Sequence, residues 1–547
     1  MSTDAEQNLI ATLRAWRDEE PRTGSHDEGD DRPVSSSAEL PLRRWYGNDG
    51  GQPGSFPFTR GRATELPPGT PWVMGMYSGY ATPKETKRRF EELLAAGQSG
   101  LSIALDLPTQ MGLDSDDPLA FGEVGKVGVP LDTVDDLIVL FDGLPFERIR
   151  QIRTSANAIG PIFAAYVIAA LDELSVDPAS VRLMLQNDPL KEFSARGTFI
   201  FPPEESMRFA ADVIEYCAAE LPHWEPIEFC GYHVRDAGGT AIHEIAVATA
   251  NGIAYLDEAV RRGVDIAEHA ERIFLFLSSG MDIFEEAAKL RAARRLWARI
   301  LRDRYDVPEE HCGVNIFVYT LGGALQAADP MNNVVRIAYE ALAAAMAGIQ
   351  TMATSSYDEA LGLPTSEAAR LALRTQQILA YESGAVKVLD PLGGSYYVED
   401  LTDRLESEAI SFLVKIFEQG GPVGVLESGF LAHELADAAY RLQLQIESGE
   451  RTVVGVNFQA ANSEGIATGL ETKPELEREQ VDGLTERRRN RDDQTVEEAL
   501  AGLAEVAAAG GNTVRPLIAC AKARVTIGES VKVLATAYGR HLPSRMV

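Results

Sequence analysis

Eight short strand-like runs, each followed by a helix-like one, constrain this chain more than any other feature. They are Trp72 to Tyr77, Leu101 to Leu107, Gln151 to Ala156, Val181 to Gln186, Ile227 to His233, Ile273 to Leu277, Val314 to Thr320 and Thr351 to Ser355. Between them lie amphipathic segments such as Lys84 to Ala96 and Phe284 to Leu301, with apolar residues at helical spacing. Strands that alternate with helices pair in parallel, and eight such units are what an α/β fold of the TIM-type (β/α)8 class requires. The pattern alone leaves a doubly wound sheet as the alternative. The reading places a mobile acidic arm at 1–40, an extended segment at 41–70, the barrel at 71–390 and a mostly helical segment at 391–547. The arm rests on the run Gly24-Ser25-His26-Asp27-Glu28-Gly29-Asp30-Asp31, which has nothing apolar to bury.

At 547 residues and 45% hydrophobic content the chain can bury a large core. No apolar run approaches the ~20 residues of a membrane helix, and the polar segment Met1 to Glu20 lacks a signal-peptide core, so a cytoplasmic location is expected. A net charge of -31 argues against nucleic acid or an anionic membrane as partner, since both need basic surface. Cys217, Cys230, Cys312 and Cys520 are far apart and form no CxxC, so they read as buried free thiols and no metal site is expected. The run Arg487-Arg488-Arg489-Asn490-Arg491 is flanked by acids and reads as a solvated face.

Two polar clusters end strand-like runs: Gln186-Asn187-Asp188 with Arg196 beyond it, and Gly231-Tyr232-His233. Barrel enzymes place their chemistry at the carboxyl ends of strands, so both clusters mark a candidate active site. Small polar residues, Ser102, Thr154, Ser155, Asn157 and Ser355, stand in or beside the runs where a barrel usually puts bulky branched side chains. Along the axis they would leave an open channel; read as turn or strand-end residues, they would not.

Phe56-Pro57-Phe58-Thr59-Arg60-Gly61, Ala96-Gly97-Gln98-Ser99-Gly100-Leu101-Ser102, Asp114-Ser115-Asp116, Gly122-Glu123-Val124-Gly125-Lys126, the two clusters above and Asp390-Pro391-Leu392-Gly393-Gly394-Ser395-Tyr396-Tyr397 follow one another in order. In these motifs the chain resembles the large subunit of the methylmalonyl-CoA mutase family, from about residue 45 onward. The resemblance implies a barrel that threads an acyl-CoA along its axis, capped at its carboxyl face by adenosylcobalamin. It implies catalytic roles for His233 on the thioester carbonyl, Tyr77 as an aromatic wedge against the cofactor and Arg196 on a free substrate carboxylate. Gln186, Arg272, Ser102 and Tyr232 would contact substrate. Glu359 would hold the adenosyl ribose, and Leu105, Val127, Ala195 and Gly322 would pack the corrin.

Departures from the family pattern accompany the matches. Thr70 and Gly75 stand where the family has arginines, and Met184, Phe274, Phe317, Tyr319, Ala353 and Ser355 replace smaller or more polar pocket residues. A methylmalonyl-like acid is favoured because Arg196 and Tyr77 are present; isobutyryl-, ethylmalonyl- or hydroxyacyl-type thioesters, or a catalytically silent paired subunit, are the alternatives. The family's cobalamin motif, Asp-x-His-x-x-Gly, is absent, and the nearest match, His26-Asp27-Glu28-Gly29, lacks the first aspartate. No cobalamin-binding domain is therefore expected in this chain. The resemblance implies a separate small subunit carrying that motif, in a homodimer or heterotetramer.

Overall fold

Nine short strands, all parallel, make the inner layer of the computed structural model, which describes residues 37–38, 42–47, 51–63, 72–460 and 474–542. Residues 1–36 of the acidic arm, and Thr70, lie outside the described residues. β1 (Val73–Met74) and β2 (Tyr77–Ser78) are halves of one strand interrupted at Gly75 and Met76, so the pieces amount to eight barrel strands. The others are β3 (Gly100–Ile103), β4 (Gln151–Thr154), β5 (Leu183–Leu185), β6 (Glu228–Cys230), β7 (Phe274–Ser279), β8 (Asn315–Thr320) and β9 (Thr351–Ala353). Pairing runs β1-β9-β8-β7-β6 in one sheet and β2-β3-β4-β5 in the other. Backbone bonds close the remaining seam: Leu185 N–H donates to Glu225 O at 2.9 Å, Glu225 N–H to Leu183 O at 2.9 Å, and Glu228 N–H to Gln186 O at 3.1 Å. The order is consecutive around the ring and never reverses, which is barrel topology and excludes the doubly wound alternative.

Each barrel strand feeds an outer helix: α1 (Pro83–Ala95), α2 (Val134–Phe141), α3 (Gly160–Glu173), α4 (Pro203–Glu220), α5 (Ala241–Arg261), α6 (Ile283–Tyr305), α7 (Asn333–Met346) and α8 (Ser366–Tyr381). Their starts are written locally. Thr82, Thr240 and Asp282 accept hydrogen bonds from the backbone of the first turns of α1, α5 and α6, groups that otherwise lack partners. Strand side chains alternate, as a period of two requires. Leu101, Ile103, Ile152 and Leu183 face outward onto one cluster of helices, and Phe229, Leu275, Leu277, Ile316 and Val318 onto another. Phe229 stacks on Trp297 of α6 with centroids 5.0 Å apart.

The inward-facing set corrects the expectation of an open channel. Met184, Cys230, Phe274, Phe276, Phe317 and Ala353 pack against one another inside the ring, and Arg153 pairs there with Glu228. Small residues do line the upper end, but bulky side chains fill the axis at mid-height. Two further expectations shift locally. The run Ile227 to His233 ends as a strand at Cys230, and Tyr232–Asp236 forms a short helix. Gly231 between them is required by close approach: a Cβ there would lie 2.6 Å from the Glu244 carbonyl oxygen of α5.

Beyond the barrel come α9 (Tyr396–Glu418), α10 (Gly421–Glu427), α11 (Phe430–Ser448), α12 (Pro474–Asn490), α13 (Asp493–Ala508), α14 (Val514–Lys522) and α15 (Ile527–Tyr538). α9 packs on α5 and α6, and α14 on α3, so these helices share the outer clusters of the barrel. The arginine run is not a free solvated face. Arg487 pairs with Asp136 at 2.7 Å, Arg488 with Asp114 at 2.6 Å and Arg491 with Glu529 at 2.6 Å, docking α12 against the loops around α2 and the start of α15. Flanking sequence shows local acids; it does not show carboxylates more than 350 positions away. All four cysteines are buried free thiols.

Candidate active site

A cavity of about 400 Å³ opens at the carboxyl ends of the strands, within the usual range for a small-molecule site. Tyr77, Ser102, Gln186, Ala195, Arg196, Tyr232, His233 and Glu359, all selected from sequence, line it together with Arg153, Ser155, Phe276, Phe317 and Tyr319. The parallel register explains the convergence, since Tyr77 stands beside Ser102 on neighbouring strands and the loops after β5 and β6 turn over the same mouth.

His233 is held by a residue the sequence reading did not select. Lys191, fully buried, donates to Gln186 Oε1 at 2.8 Å, and its Nζ lies 2.9 Å from Glu192 Oε1 and 3.1 Å from His233 Nδ1. An ammonium has three donors and no acceptor, so Nδ1 must accept and the ring proton must sit on Nε2. Burial, and then the charges of Lys191 and Arg196, push the imidazole well below its ordinary 6.5. His233 is thus a neutral donor through Nε2–H. Lys191→Met should release that tautomer and move the His233 pKa upward, because a neighbouring cation is lost. Histidine nitrogen shifts in an NMR titration read both effects, and an unchanged Nε2–H signal would remove Lys191 from this role.

Arg196 ends a π-helical turn, Glu192–Arg196, that closes at Gly197 with φ +90°. Glu192 organises the turn. It accepts from Asn157 Nδ2 at 2.7 Å and from the Thr198 hydroxyl, and although burial opposes ionisation, Lys191 and Arg196 hold its carboxyl below the ordinary range. Arg196 Nη1 lies 3.5 Å from Glu192 Oε1, yet it is buried with no hydrogen-bond partner among the described residues. A buried unsatisfied guanidinium N–H costs stability unless a ligand completes it. Asp188 fixes the other side of the loop by accepting from Cys230 N at 3.0 Å and Tyr255 Oη at 2.8 Å.

At the rim, Tyr77 Oη shares a hydrogen bond with Ser155 Oγ at 2.9 Å, and Tyr319 donates to Glu359 Oε2 at 3.3 Å. Burial pushes the Glu359 carboxyl up to about 7. Gly322 N–H donates to Tyr232 Oη at 3.1 Å, and Tyr232 stacks on Phe276 with centroids 5.1 Å apart. Val127 is 40% exposed on the loop after β3, where Leu119 and Phe121 are 80% and 85% exposed.

Two sequence-selected residues fall elsewhere. Leu105 is fully buried in the cluster around α2 and α3, so its side chain offers no surface to a corrin. The resemblance assigns Leu105 by its position along the chain, which does not report which way a side chain points. Arg272 lies before β7, at the amino end of the strand, and lines an outer groove with Arg62 and Arg182 instead of the cavity. Lys191, Glu192 and Arg153 were missed. The signal that could have found them is charge inside segments flanked by apolar residues, where burial demands partners.

A family model described as Methylmalonyl-CoA mutase matches residues 37–540. Methylmalonyl-CoA mutase of Rhizobium meliloti is 40% identical over 489 residues, covering 89% of this chain and 68% of that protein. The Escherichia coli protein of the same name is 39% identical, covering 90% and 70%. Human mitochondrial methylmalonyl-CoA mutase is 38% identical, covering 89% and 66%.

Proposed function

This chain belongs to the methylmalonyl-CoA mutase family, and from that premise we propose that it is an isomerase rearranging the carbon skeleton of a branched acyl-CoA, of the methylmalonyl type. One observation carries the choice of substrate class: Arg196, with a buried unsatisfied Nη1, and His233, with a fixed Nε2–H donor, line one cavity. A guanidinium suits a planar carboxylate, and a neutral imidazole donor suits a thioester carbonyl.

The rim fits a large, flat, mostly apolar cofactor bearing a ribose. Exposed Leu119, Phe121 and Val127 offer apolar surface, Ala195 and Gly322 are small, and Glu359 places a buried carboxyl at the mouth. We assign these residues to adenosylcobalamin, held jointly with a small subunit that supplies Asp-x-His-x-x-Gly; the motif itself does not occur in these 547 residues. When bound, that cofactor supplies a carbon radical by homolysis of its cobalt–carbon bond. The residues of this chain do the rest. Arg196 anchors the carboxylate end of the substrate. His233 donates to the thioester oxygen and stabilises charge that builds there as the thioester-bearing carbon migrates, an oxyanion-type contribution. Gln186, tied to Lys191 and Asn157, fixes the wall beside it. Tyr77, Tyr232, Phe276 and Tyr319 exclude water, which protects a reactive intermediate.

The filled axis favours a second reading, a catalytically silent paired subunit. One assay separates the two. The chain reconstituted with its small subunit and adenosylcobalamin is given a panel of branched acyl-CoAs, with products resolved by mass spectrometry. Isomerisation of a carboxylated thioester is expected, and no turnover of any member of the panel would leave the silent subunit as the reading.

A further inference from the structure

The cavity at the carboxyl ends has a counterpart of about 220 Å³ at the amino ends, whose walls include Arg62, Gln151, Phe274 and Thr351. Among the described residues the two cavities share no lining residue. Between them stands Arg153. Its Nε donates to Glu228 Oε1 at 3.1 Å, and its guanidinium carbon lies 3.2 Å from the ring centroid of Phe317. Arg153 is 7% exposed, Phe317 1%, and Glu228 and Met184 are fully buried. A pantetheine arm that reaches the upper cavity along the axis needs the space this group occupies.

We propose that Arg153 is a gate on thioester entry: the axis admits a pantetheine arm only when the guanidinium leaves Glu228 and Phe317 and swings into the upper cavity that it already lines. The inference rests on the acyl-CoA reading above. Opening separates a buried ion pair and leaves Glu228 without a cation, in a site where Oε2 already has no hydrogen-bond partner among the described residues. The open form is therefore a minor state of the free protein, and a ligand that requires it binds with an affinity reduced by the open fraction. Swinging upward is the available direction, because the upper cavity is the larger one and Arg153 forms part of its wall. Phe317 then loses its stacked partner and can rotate. A small residue at 153 would keep the axis open at all times.

The test is the affinity of coenzyme A itself, measured by calorimetry on the full chain without cobalamin. Arg153→Ser should bind it about tenfold tighter than the wild type or better, as expected when a closed state no longer competes. Arg153→Ser with Glu228→Gln should do the same without leaving an unpaired carboxylate behind, which keeps the test valid if the single variant unfolds. An affinity within about twofold of wild type in the folded variant, or no binding by any form, overturns the gate. If neither variant folds, a crystal structure of the wild type with coenzyme A decides: Arg153 displaced supports the gate, and Arg153 still on Glu228 overturns it. Failure of the catalytic reading looks different, because the opened variant would then bind coenzyme A while the reconstituted enzyme turned over no acyl-CoA.

Discussion

Replacing His233 by alanine is expected to lower turnover by about 10²–10³-fold, roughly 2.7–4 kcal/mol of barrier, the size found when one preorganised oxyanion donor is removed. The loss should fall mainly on kcat, since the carbonyl oxygen carries its extra charge during migration and not in the ground state. Steady-state kinetics of the reconstituted enzyme read this, and wild-type kcat in the variant would take His233 out of the mechanism. The pH behaviour follows from the same geometry. His233 has a folded pKa well below 6.5, so the fold refuses a proton that the unfolded chain accepts. Its stability contribution is complete above about 6.5 and is lost as pH falls below that value. The alanine variant should therefore lose less stability on acidification than the wild type does, measured by denaturant unfolding across that range. The catalytic pH profile should show no inflection from His233 near 6.5.

Arg196→Gln is expected to cost about ten- to a hundredfold in kcat/KM for a carboxylated acyl-CoA, as for losing a hydrogen bond to a charged group worth ~1.5–3 kcal/mol. A thioester without that carboxylate should change little. The comparison matters more than either value, because removing Arg196 also leaves Glu192 with one cation fewer, and that disturbance would affect both substrates alike. Equal losses for the two would mean that Arg196 shapes the loop and does not bind the carboxylate. The placement of Arg196 in the cavity wall beside His233, with only a 3.5 Å ion pair to Glu192 on its buried Nη1, points to the first outcome.

How much of this was legible in the sequence depends on the kind of information each residue carries. The eight strand units were readable because burying one face of a strand or helix writes its period into the chain. Eight of the twelve site residues chosen from sequence line one cavity, because the loops after parallel strands all open at the same end of a barrel. Leu105 failed for a directional reason, since it continues the outward parity of Leu101 and Ile103 and its side chain joins the helix cluster instead of the cavity. Arg487 and Arg488 failed because their partners, Asp136 and Asp114, are neighbours only after folding.

The sequence by itself determined eight alternating strand and helix units, their chain order and the two polar clusters at the strand ends, because these follow from periodicity and local chemistry; the strand pairing of the structure chose the barrel over the doubly wound sheet. Parity along the strands was also present in runs such as Gln151-Ile152-Arg153 and Phe274-Leu275-Phe276, but nothing local says which parity faces the axis. The tertiary structure alone decided that. Closing the ring brings Glu228, Phe276 and Phe317 into contact with Arg153, and it sets Lys191 against His233 so that an ammonium dictates an imidazole tautomer. Both are relations between residues far apart in the chain, and their distances exist only once loop closure and burial have brought them together.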